Sequence, residues 1–125
     1  MHGHIKHFDY LVMLEGSMFL ALRDLRRNSP TKDRSLLMRL NGSDMSAIVI
    51  PPGVAHGFYF PEPAIHIYGV TEYWVPVDEL GCRWDDPGLE IAWPTTQVQV
   101  SPRDAALPSL ADFVRQMDEG LARNR

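Results

Sequence analysis

The feature that most constrains the fold of this chain is a series of short apolar runs separated by turn residues. Each run spans four to eight residues, and the breaks between runs are rich in Gly, Pro, Asn and Asp. Runs of that length at regular spacing are typical of the strands of a β-sandwich or barrel. We therefore predict an all-β fold with strands at Tyr10–Leu14, Met18–Leu25, Ser35–Leu40, Ala47–Ile50, His56–Phe60, Ile65–Val70 and Glu72–Val75.

Short motifs between the runs predict where the chain reverses direction. Asn41-Gly42 is a hairpin signal, because both residues tolerate the positive φ that the tightest hairpin turns require. Gly16 and the Pro51-Pro52-Gly53 motif predict tight turns before the second and fifth predicted strands.

Only the C-terminal region has helical periodicity. Pro108 and Ser109 resemble a helix entry, and a helical stripe follows at Leu110, Phe113, Val114, Met117 and Leu121. This pattern predicts a short C-terminal helix at about 109–122. The preceding stretch, 80–99, is rich in Gly, Pro and Asp, so we expect irregular structure anchored by Trp84 and Trp93. No internal repeat is visible, and we predict one domain over residues 1–125.

Composition narrows the possible functions. The 125 residues include twelve Lys and Arg against sixteen Asp and Glu, a formal net charge of -4. Because no basic stripe is present to neutralise a phosphate backbone, we expect no nucleic-acid partner. The apolar runs fall far short of the ~20 residues of a membrane span, so we expect no membrane association. The single Cys82 cannot form an internal disulfide, which favours a cytoplasmic protein.

The histidines fall mainly in two clusters. His2 and His4 are two residues apart, so on a strand their side chains point to the same face. Asp9 offers a carboxylate five residues further on, and His56 follows the Pro-Gly turn. We predict that these four side chains share one pocket. A metal-free pocket and a divalent ion such as Fe, Mn, Ni or Zn are the alternatives for it.

This spacing resembles that of the cupin fold. The cupin pattern is HxH, three or four residues, an acid, six residues and Gly, followed later by PxG, two residues and His. With Asp in place of the usual Glu, the matching residues are His2, His4, Asp9, Gly16, Pro51, Gly53 and His56. The resemblance implies a cupin-type double-stranded β-helix, a jelly-roll barrel, to which the C-terminal helix is appended.

A longer series of motifs resembles a narrower family. In chain order these are Asp24-Leu25-Arg26, Ser29-Pro30-Thr31, the stretch 50–58, Tyr68, Thr71, Tyr73, Pro76, Glu79, Trp84, Asp86-Pro87, Ile91, Trp93-Pro94, Ser101 and Asp104. Over roughly residues 2–108 the chain is similar to the dTDP-4-dehydrorhamnose 3,5-epimerase family, the RmlC-like cupins of deoxysugar biosynthesis.

That resemblance implies epimerisation of the carbons flanking the C4 ketone of a dTDP-linked 4-keto-6-deoxy sugar. A base removes a proton next to the carbonyl, and an acid returns one to the opposite face. The family's base corresponds to His2, its carboxylate partner to Asp104 and its phenolic acid to Tyr68. A carboxylate beside an imidazole orients the ring and raises its pKa, which fits this pairing. The mechanism needs no metal and no other cofactor, and the family resemblance implies a homodimer.

Four further residues make up the predicted substrate-binding set. His56 corresponds to a pocket residue of the family, and His4 is a candidate donor to the ketone oxygen. Arg26 is a candidate for contact with a diphosphate, although an ion pair with Asp24 is its structural alternative. Tyr73 completes the set.

Two departures from the family pattern bear on activity. The family Lys that stabilises the developing enolate oxygen corresponds to Asp9, which has the opposite charge, and His4, Lys6 and His7 are the candidate replacements. Met1 falls in the middle of the base motif, so we expect a fragment or a misassigned start. The alternative functions are a metal-binding cupin, a non-catalytic sugar-binding cupin and a ketoisomerase on the same substrate class.

Overall fold

The computed structural model describes residues 1–73, 75 and 78–123, and most of its regular structure is β-strand. The described strands are β1 (His2–Gly3), β2 (Asp9–Glu15), β3 (Ser17–Asp24), β4 (Ser35–Asn41), β5 (Ala47–Ile50), β6 (Val54–Tyr59), β7 (Ile65–Val70) and β8 (Leu80–Gly81). The helices are α1 (Pro102–Ala105) and α2 (Leu110–Arg123), and short 3₁₀ turns lie at Gly42–Asp44 and Pro87–Leu89.

The strands form two antiparallel sheets that share an apolar core. One sheet has the strand order β4-β3-β6-β1-β8, and the other has the order β5-β2-β7. Leu11 and Met13 of β2 and Ile50 of β5 pack in one buried cluster with Met18 and Leu20 of β3. This cluster draws on both sheets, and the prediction of a fold built mainly of β-strands is confirmed.

Helix α2 packs against the five-stranded sheet and holds β1 in place. Phe113 and Met117, one turn apart on the helix, are buried in a second cluster with Met1 and Ala55. A Cβ atom at Gly3 would lie 2.8 Å from Cζ of Phe113, so the strand approaches the ring as closely as it does because Gly3 has no side chain. The helix therefore supports the strand that carries His2.

Six of the seven predicted strands are confirmed, with ends that shift by at most two residues. The seventh, Glu72–Val75, is wrong at its described positions, because Glu72, Tyr73 and Val75 are in no strand. The chain leaves the sheet after Val70, where Thr71 exchanges its last hydrogen bonds with Phe8. Trp74 of that prediction and Pro76 of the motif series lie outside the described residues.

The prediction of a hairpin at Asn41-Gly42 is wrong. The carboxylate of Asp44 accepts hydrogen bonds from the backbone and side-chain nitrogens of Asn41, each at 3.0 Å, and this closes a 3₁₀ turn at Gly42–Asp44. The turn carries the chain from β4 in one sheet to β5 in the other, so the strands on either side of it do not pair.

The glycine turns have the predicted conformations. Gly16 has a φ of 75° between β2 and β3, and a Cβ there would lie 2.7 Å from the carbonyl oxygen of Pro63. Gly53 has a φ of 82° directly before β6. Both positions lie in the left-handed region that favours glycine.

The C-terminal helix is confirmed, and it begins and ends one residue later than predicted. The Ser109 hydroxyl accepts a hydrogen bond from the backbone nitrogen of Asp112, which caps the helix as expected. No sequence pattern predicted α1, because four residues are too few for a helical stripe. The Ser101 hydroxyl caps α1 by accepting from the backbone nitrogen of Asp104 at 3.0 Å.

Asp24 organises the loop that follows β3. Its carboxylate accepts hydrogen bonds from the Arg26 guanidinium at 2.9 and 2.7 Å and from the hydroxyls of Ser29 and Thr31. Burial works to raise the pKa of Asp24, but these hydrogen bonds outweigh it and hold the pKa well below its usual range. The ion pair expected as the structural alternative for Arg26 is therefore present.

Asp24→Asn is expected to lower the free energy of unfolding at pH 7 by about 2 kcal/mol, because a buried charge-assisted network loses its acceptor. The native pKa lies below the unfolded value of about 3.9, so this stabilisation is present above pH ~4 and is lost as the pH falls through the native pKa. Urea titrations at several pH values should therefore show wild type and variant converging in acid.

The matched control for Asp24→Asn is Asp85→Asn. The Asp85 carboxylate lies 3.6 Å from Arg83 in an exposed pair, so its loss is expected to change stability by less than about 0.5 kcal/mol. Equal losses in the two variants, or a difference that does not change with pH, would contradict the role assigned to Asp24.

The described helices include none that is both long enough and apolar enough to cross a bilayer.

Candidate active site

A cavity of about 820 Å³ opens beside the five-stranded sheet, and most of the predicted site residues line it. Its polar side chains include His2, His4, His56, Tyr68, Glu79 and Asp104, and its apolar wall includes Phe58, Phe60, Trp84 and Trp93. A cavity of this size, with an apolar wall and a few convergent polar groups, is typical of a small-molecule site.

Strand pairing places two of the histidines side by side. His2 on β1 lies directly opposite His56 on β6, and residues opposite each other in an antiparallel pair project to the same face. Both imidazoles therefore reach the cavity. Burial lowers the pKa of His56 to about 4, and the nearby Asp9 charge only partly opposes this effect.

His2 forms a dyad with Asp104. The distance from His2 Nε2 to Asp104 Oδ1 is 2.7 Å, although 102 residues separate the two in sequence. The second ring nitrogen, Nδ1, lies 3.7 Å from Oε2 of Glu79. An imidazolium formed on His2 would thus lie between two carboxylates.

The pKa of His2 shifts in the direction opposite to the sequence-based expectation. Burial lowers it below the ordinary value, and the contribution of Asp104, although upward as expected, is smaller. Burial works to raise the pKa of Asp104, but the hydrogen bonds from His2 and Ser101 and the nearby positive charges together outweigh it and lower the pKa. At neutral pH His2 is therefore the unprotonated partner, ready to accept a proton.

Tyr68 lies across the cavity on the other sheet. Its hydroxyl donates to Oδ1 of Asp9 at 2.7 Å and lies 3.3 Å from Nε2 of His56. Burial, together with the hydrogen bond to Asp9, raises the pKa of Tyr68 above its usual range. The phenol is thus protonated at neutral pH and can donate.

Asp9 is the centre of a buried polar cluster. Its residue exposure is 1%, and all three of its ion-pair contacts are to imidazoles. His4 Nε2 and His56 Nε2 lie 3.8 and 3.7 Å from Oδ2, and His7 Nε2 lies 3.3 Å from Oδ1. Among the described residues, therefore, neither a Lys nor an Arg pairs with Asp9.

His4 and His2 do not converge on one centre as their spacing predicted. Strand β1 ends at Gly3, so the alternation of side chains does not extend to His4. His4 faces Asp9 and lies against His7, with ring centroids 3.9 Å apart and the rings tilted by 31°, whereas His2 faces Asp104. Of the four side chains predicted as alternative metal ligands, His4, Asp9 and His56 come together and His2 lies outside the group.

Two members of the predicted substrate-binding set do not line the cavity. Arg26 is held by Asp24 in the loop after β3. Tyr73 follows β7 and is 95% exposed. His56 and His4, the other two, do line it.

Three residues of the site were missing from the predicted set. Glu79 lines the cavity near His2, and its presence in the family motif was the available signal. His7 is buried between Asp9 and Asp78, with Nδ1 3.4 Å from Asp78 Oδ2. His7 had been considered only as a replacement donor, and Asp78 lies in the Pro-containing stretch after the predicted strand Glu72–Val75, where no motif marked it.

The fold and the site together define a β-sheet protein with an acid–base cavity. A sequence profile described as dTDP-4-dehydrorhamnose 3,5-epimerase matches residues 1–112. The chain is 36% identical over 99 residues to the dTDP-4-dehydrorhamnose 3,5-epimerase of Pseudomonas aeruginosa, which is 78% of this chain and 55% of that protein. It is 35% identical over 97 residues to the same-named protein of Salmonella typhimurium, which is 76% of this chain and 53% of that one.

Solved structures agree with the sequence comparisons. The epimerase RmlC from Legionella pneumophila, solved in complex with dTDP-4-keto-L-rhamnose, superposes with a TM-score of 0.82 at 33% identity and covers 93% of this chain and 64% of its own. NovW from Streptomyces spheroides, a 4-keto-6-deoxy sugar epimerase, has a TM-score of 0.83 at 31% identity and covers 96% of this chain and 61% of its own.

This chain belongs to the dTDP-4-dehydrorhamnose 3,5-epimerase family. It spans about half the length of the curated relatives that it matches.

Proposed function

We propose that this chain carries the acid–base site of an epimerase that acts on a dTDP-linked 4-keto-6-deoxy sugar. The observation that carries this proposal is the position of a proton acceptor, His2, and a proton donor, Tyr68, in one cavity. The Legionella pneumophila relative was solved with a dTDP-4-keto sugar, which supports the substrate class.

Proton removal is assigned to His2. Asp104 accepts from Nε2 of the imidazole, which leaves the lone pair of Nδ1 to take the proton next to the ketone. The imidazolium that forms is stabilised by Asp104 on one side and by Glu79 on the other. Holding two carboxylates at fixed positions stabilises a charge that exists only after proton transfer, which is the condition for lowering the barrier.

Proton return is assigned to Tyr68. Its hydroxyl is protonated and lines the same cavity from the opposite sheet, so it can reach the other face of the sugar. A ketoisomerase on this substrate would differ only in the carbon or oxygen to which the proton is returned, and product NMR separates the two reactions.

The proposed reaction is tested by solvent exchange. The full-length protein is incubated in D₂O with a dTDP-4-keto-6-deoxy sugar, and NMR follows deuterium at the carbons flanking the ketone. Exchange accompanied by a new epimer is the expected result. Saturable binding of the sugar nucleotide without exchange would replace the proposal with the non-catalytic alternative, which the Asp9 substitution favours.

We also propose that the chain adopts the cupin-type double-stranded β-helix as one domain over residues 1–125, and that it works in the cytoplasm. The two facing antiparallel sheets support the fold assignment. The unpaired, buried Cys82 supports a reducing compartment.

The outer face of the three-stranded sheet supports the proposed homodimer. Exposed apolar side chains lie there on all three strands, namely Tyr10 and Leu14 on β2, Val49 on β5, and Ile65 and Ile67 on β7. A contiguous apolar face of this kind marks an interaction surface, and a second copy of the chain is the proposed occupant.

Ile67→Lys is expected to shift the protein from dimer to monomer, because it places a charge within this face, opposite Val12 of the central strand β2. Light scattering coupled to size exclusion measures the mass. Met45→Lys is the matched control, because Met45 is 92% exposed and lies outside the strands. A wild-type monomer, or a dimer that survives Ile67→Lys, would contradict the proposed interface.

A further inference from the structure

Three side chains converge at the inner end of the cavity. A ring nitrogen of His4, a ring nitrogen of His56 and a carboxylate oxygen of Asp9 all lie within 4.8 Å of one another, and all three residues are buried. His4 and His56 also line the cavity, so this group faces the space where a small molecule would bind.

Backbone carbonyls set the tautomers of both imidazoles. His4 Nδ1 lies 3.4 Å from the carbonyl oxygen of Asp78, and His56 Nδ1 lies 3.4 Å from that of Val54. A carbonyl oxygen only accepts hydrogen bonds, so in each ring Nδ1 carries the hydrogen. In the neutral form of each ring, Nε2 then has a free lone pair. The distance from Nε2 to Asp9 Oδ2 is 3.8 Å for His4 and 3.7 Å for His56.

Among residues 1–73, 75 and 78–123, the Tyr68 hydroxyl is the neighbouring donor to consider between these lone pairs. The Tyr68 hydroxyl has one hydrogen, and its shorter contact, 2.7 Å, is to the other oxygen of Asp9. Two imidazole lone pairs and a carboxylate oxygen therefore face one point. Such an arrangement is favourable when a cation binds at that point.

The residues around His4, Asp9 and His56 make the kinds of hydrogen bond and ion pair that usually surround the ligands of a metal ion. The hydrogen bond from Nδ1 to a carbonyl is the usual outer contact of a metal-ligating histidine. His7 Nε2 lies 3.3 Å from Asp9 Oδ1, and His7 Nδ1 lies 3.4 Å from Asp78 Oδ2. His7 thus orients the Asp9 carboxylate through Oδ1, while Oδ2 faces His4 and His56. Asp78 in turn orients His7.

We infer that His4, Asp9 and His56 form a binding site for one divalent transition-metal ion, with its remaining coordination positions open to the cavity. Two imidazoles and one carboxylate suit Zn²⁺, Ni²⁺, Fe²⁺ or Mn²⁺ and do not suit Ca²⁺ or Mg²⁺, which prefer oxygen ligands. A second grouping, His4 with His7 and Asp78, is geometrically close. In that grouping both His7 nitrogens already face carboxylates, and His7 does not line the cavity.

The site is tested by metal binding without substrate, so its outcome is independent of turnover. Tag-free full-length protein is stripped with a chelator and titrated with Zn²⁺ by calorimetry, and Co²⁺ absorption reports the ligand field. The expected result is one ion per chain. His56→Ala and Asp9→Ala are each expected to weaken binding by more than about 100-fold, the upper range for loss of an outer contact.

Two further variants test whether the ion binds at His4, Asp9 and His56 rather than elsewhere. His66→Ala removes an imidazole that does not line the cavity, and it is expected to leave the affinity unchanged. His7→Ala is expected to weaken binding about 10–100-fold with the stoichiometry intact, as for an outer contact. If a ligand variant fails to fold, His4→Gln replaces it. No saturable uptake by the wild type, or wild-type affinity in folded His56→Ala and Asp9→Ala, would overturn the inference.

Discussion

His2→Gln in the full-length protein is expected to lower the rate of solvent deuterium incorporation into a dTDP-4-keto-6-deoxy sugar by about 10²–10⁴-fold, the usual contribution of a general base. Glutamine keeps a polar side chain of similar reach but cannot accept a proton at neutral pH. The loss should fall on kcat, because the imidazolium between Asp104 and Glu79 exists only after proton transfer. NMR in D₂O at saturating substrate measures it.

Two controls make the result specific to the dyad. His66→Gln changes a histidine on β7 that does not line the cavity and should retain the wild-type rate. Asp104→Asn keeps the shape of the dyad and removes its charge, so it should also slow exchange. A folded His2→Gln variant with the wild-type exchange rate would show that another group is the base.

Tyr68→Phe is expected to separate proton removal from proton return. The variant keeps His2 and Asp104, so solvent deuterium should still enter the substrate with its configuration retained. The epimer should form about 10²–10⁴-fold more slowly, because the donor on the opposite face is gone. The ratio of exchange to epimer formation, read from one NMR time course, should rise.

The matched control for Tyr68→Phe is Tyr59→Phe. Tyr59 also lines the cavity, on β6, and has no part in the contacts of Asp9. Loss of exchange and epimer formation in equal measure in Tyr68→Phe would contradict the assigned role, since it would place Tyr68 in the removal step or in folding.

The strands were predictable where side-chain alternation extends over a whole element. Ile65–Val70 and Ala47–Ile50 have the predicted bounds, because β-branched residues bounded by turn signals mark a strand in the sequence itself. Two-residue strands such as β1 and β8 have no period to detect. The Asn41-Gly42 motif misled for another reason, since Asp44 offers these residues a competing set of hydrogen bonds.

The members of the site and its central pair were predictable. His2, His56, Tyr68 and Asp104 all line the cavity, and the family resemblance supplied the pairing of His2 with Asp104. The contacts of Glu79 with His2 and of Asp9 with Tyr68 depend on distances that no local pattern encodes. The downward shift of the His2 pKa is one such case, because the balance between burial and the Asp104 charge depends on the packed structure.

The dyad joins two segments that lie far apart in the sequence. Because 102 residues separate His2 from Asp104, their contact forms only after the intervening strands have closed a very long loop. Local helix or hairpin formation cannot assemble it. Recovery of proton exchange during refolding would therefore report completion of the whole fold, later than any spectroscopic signal of strand formation.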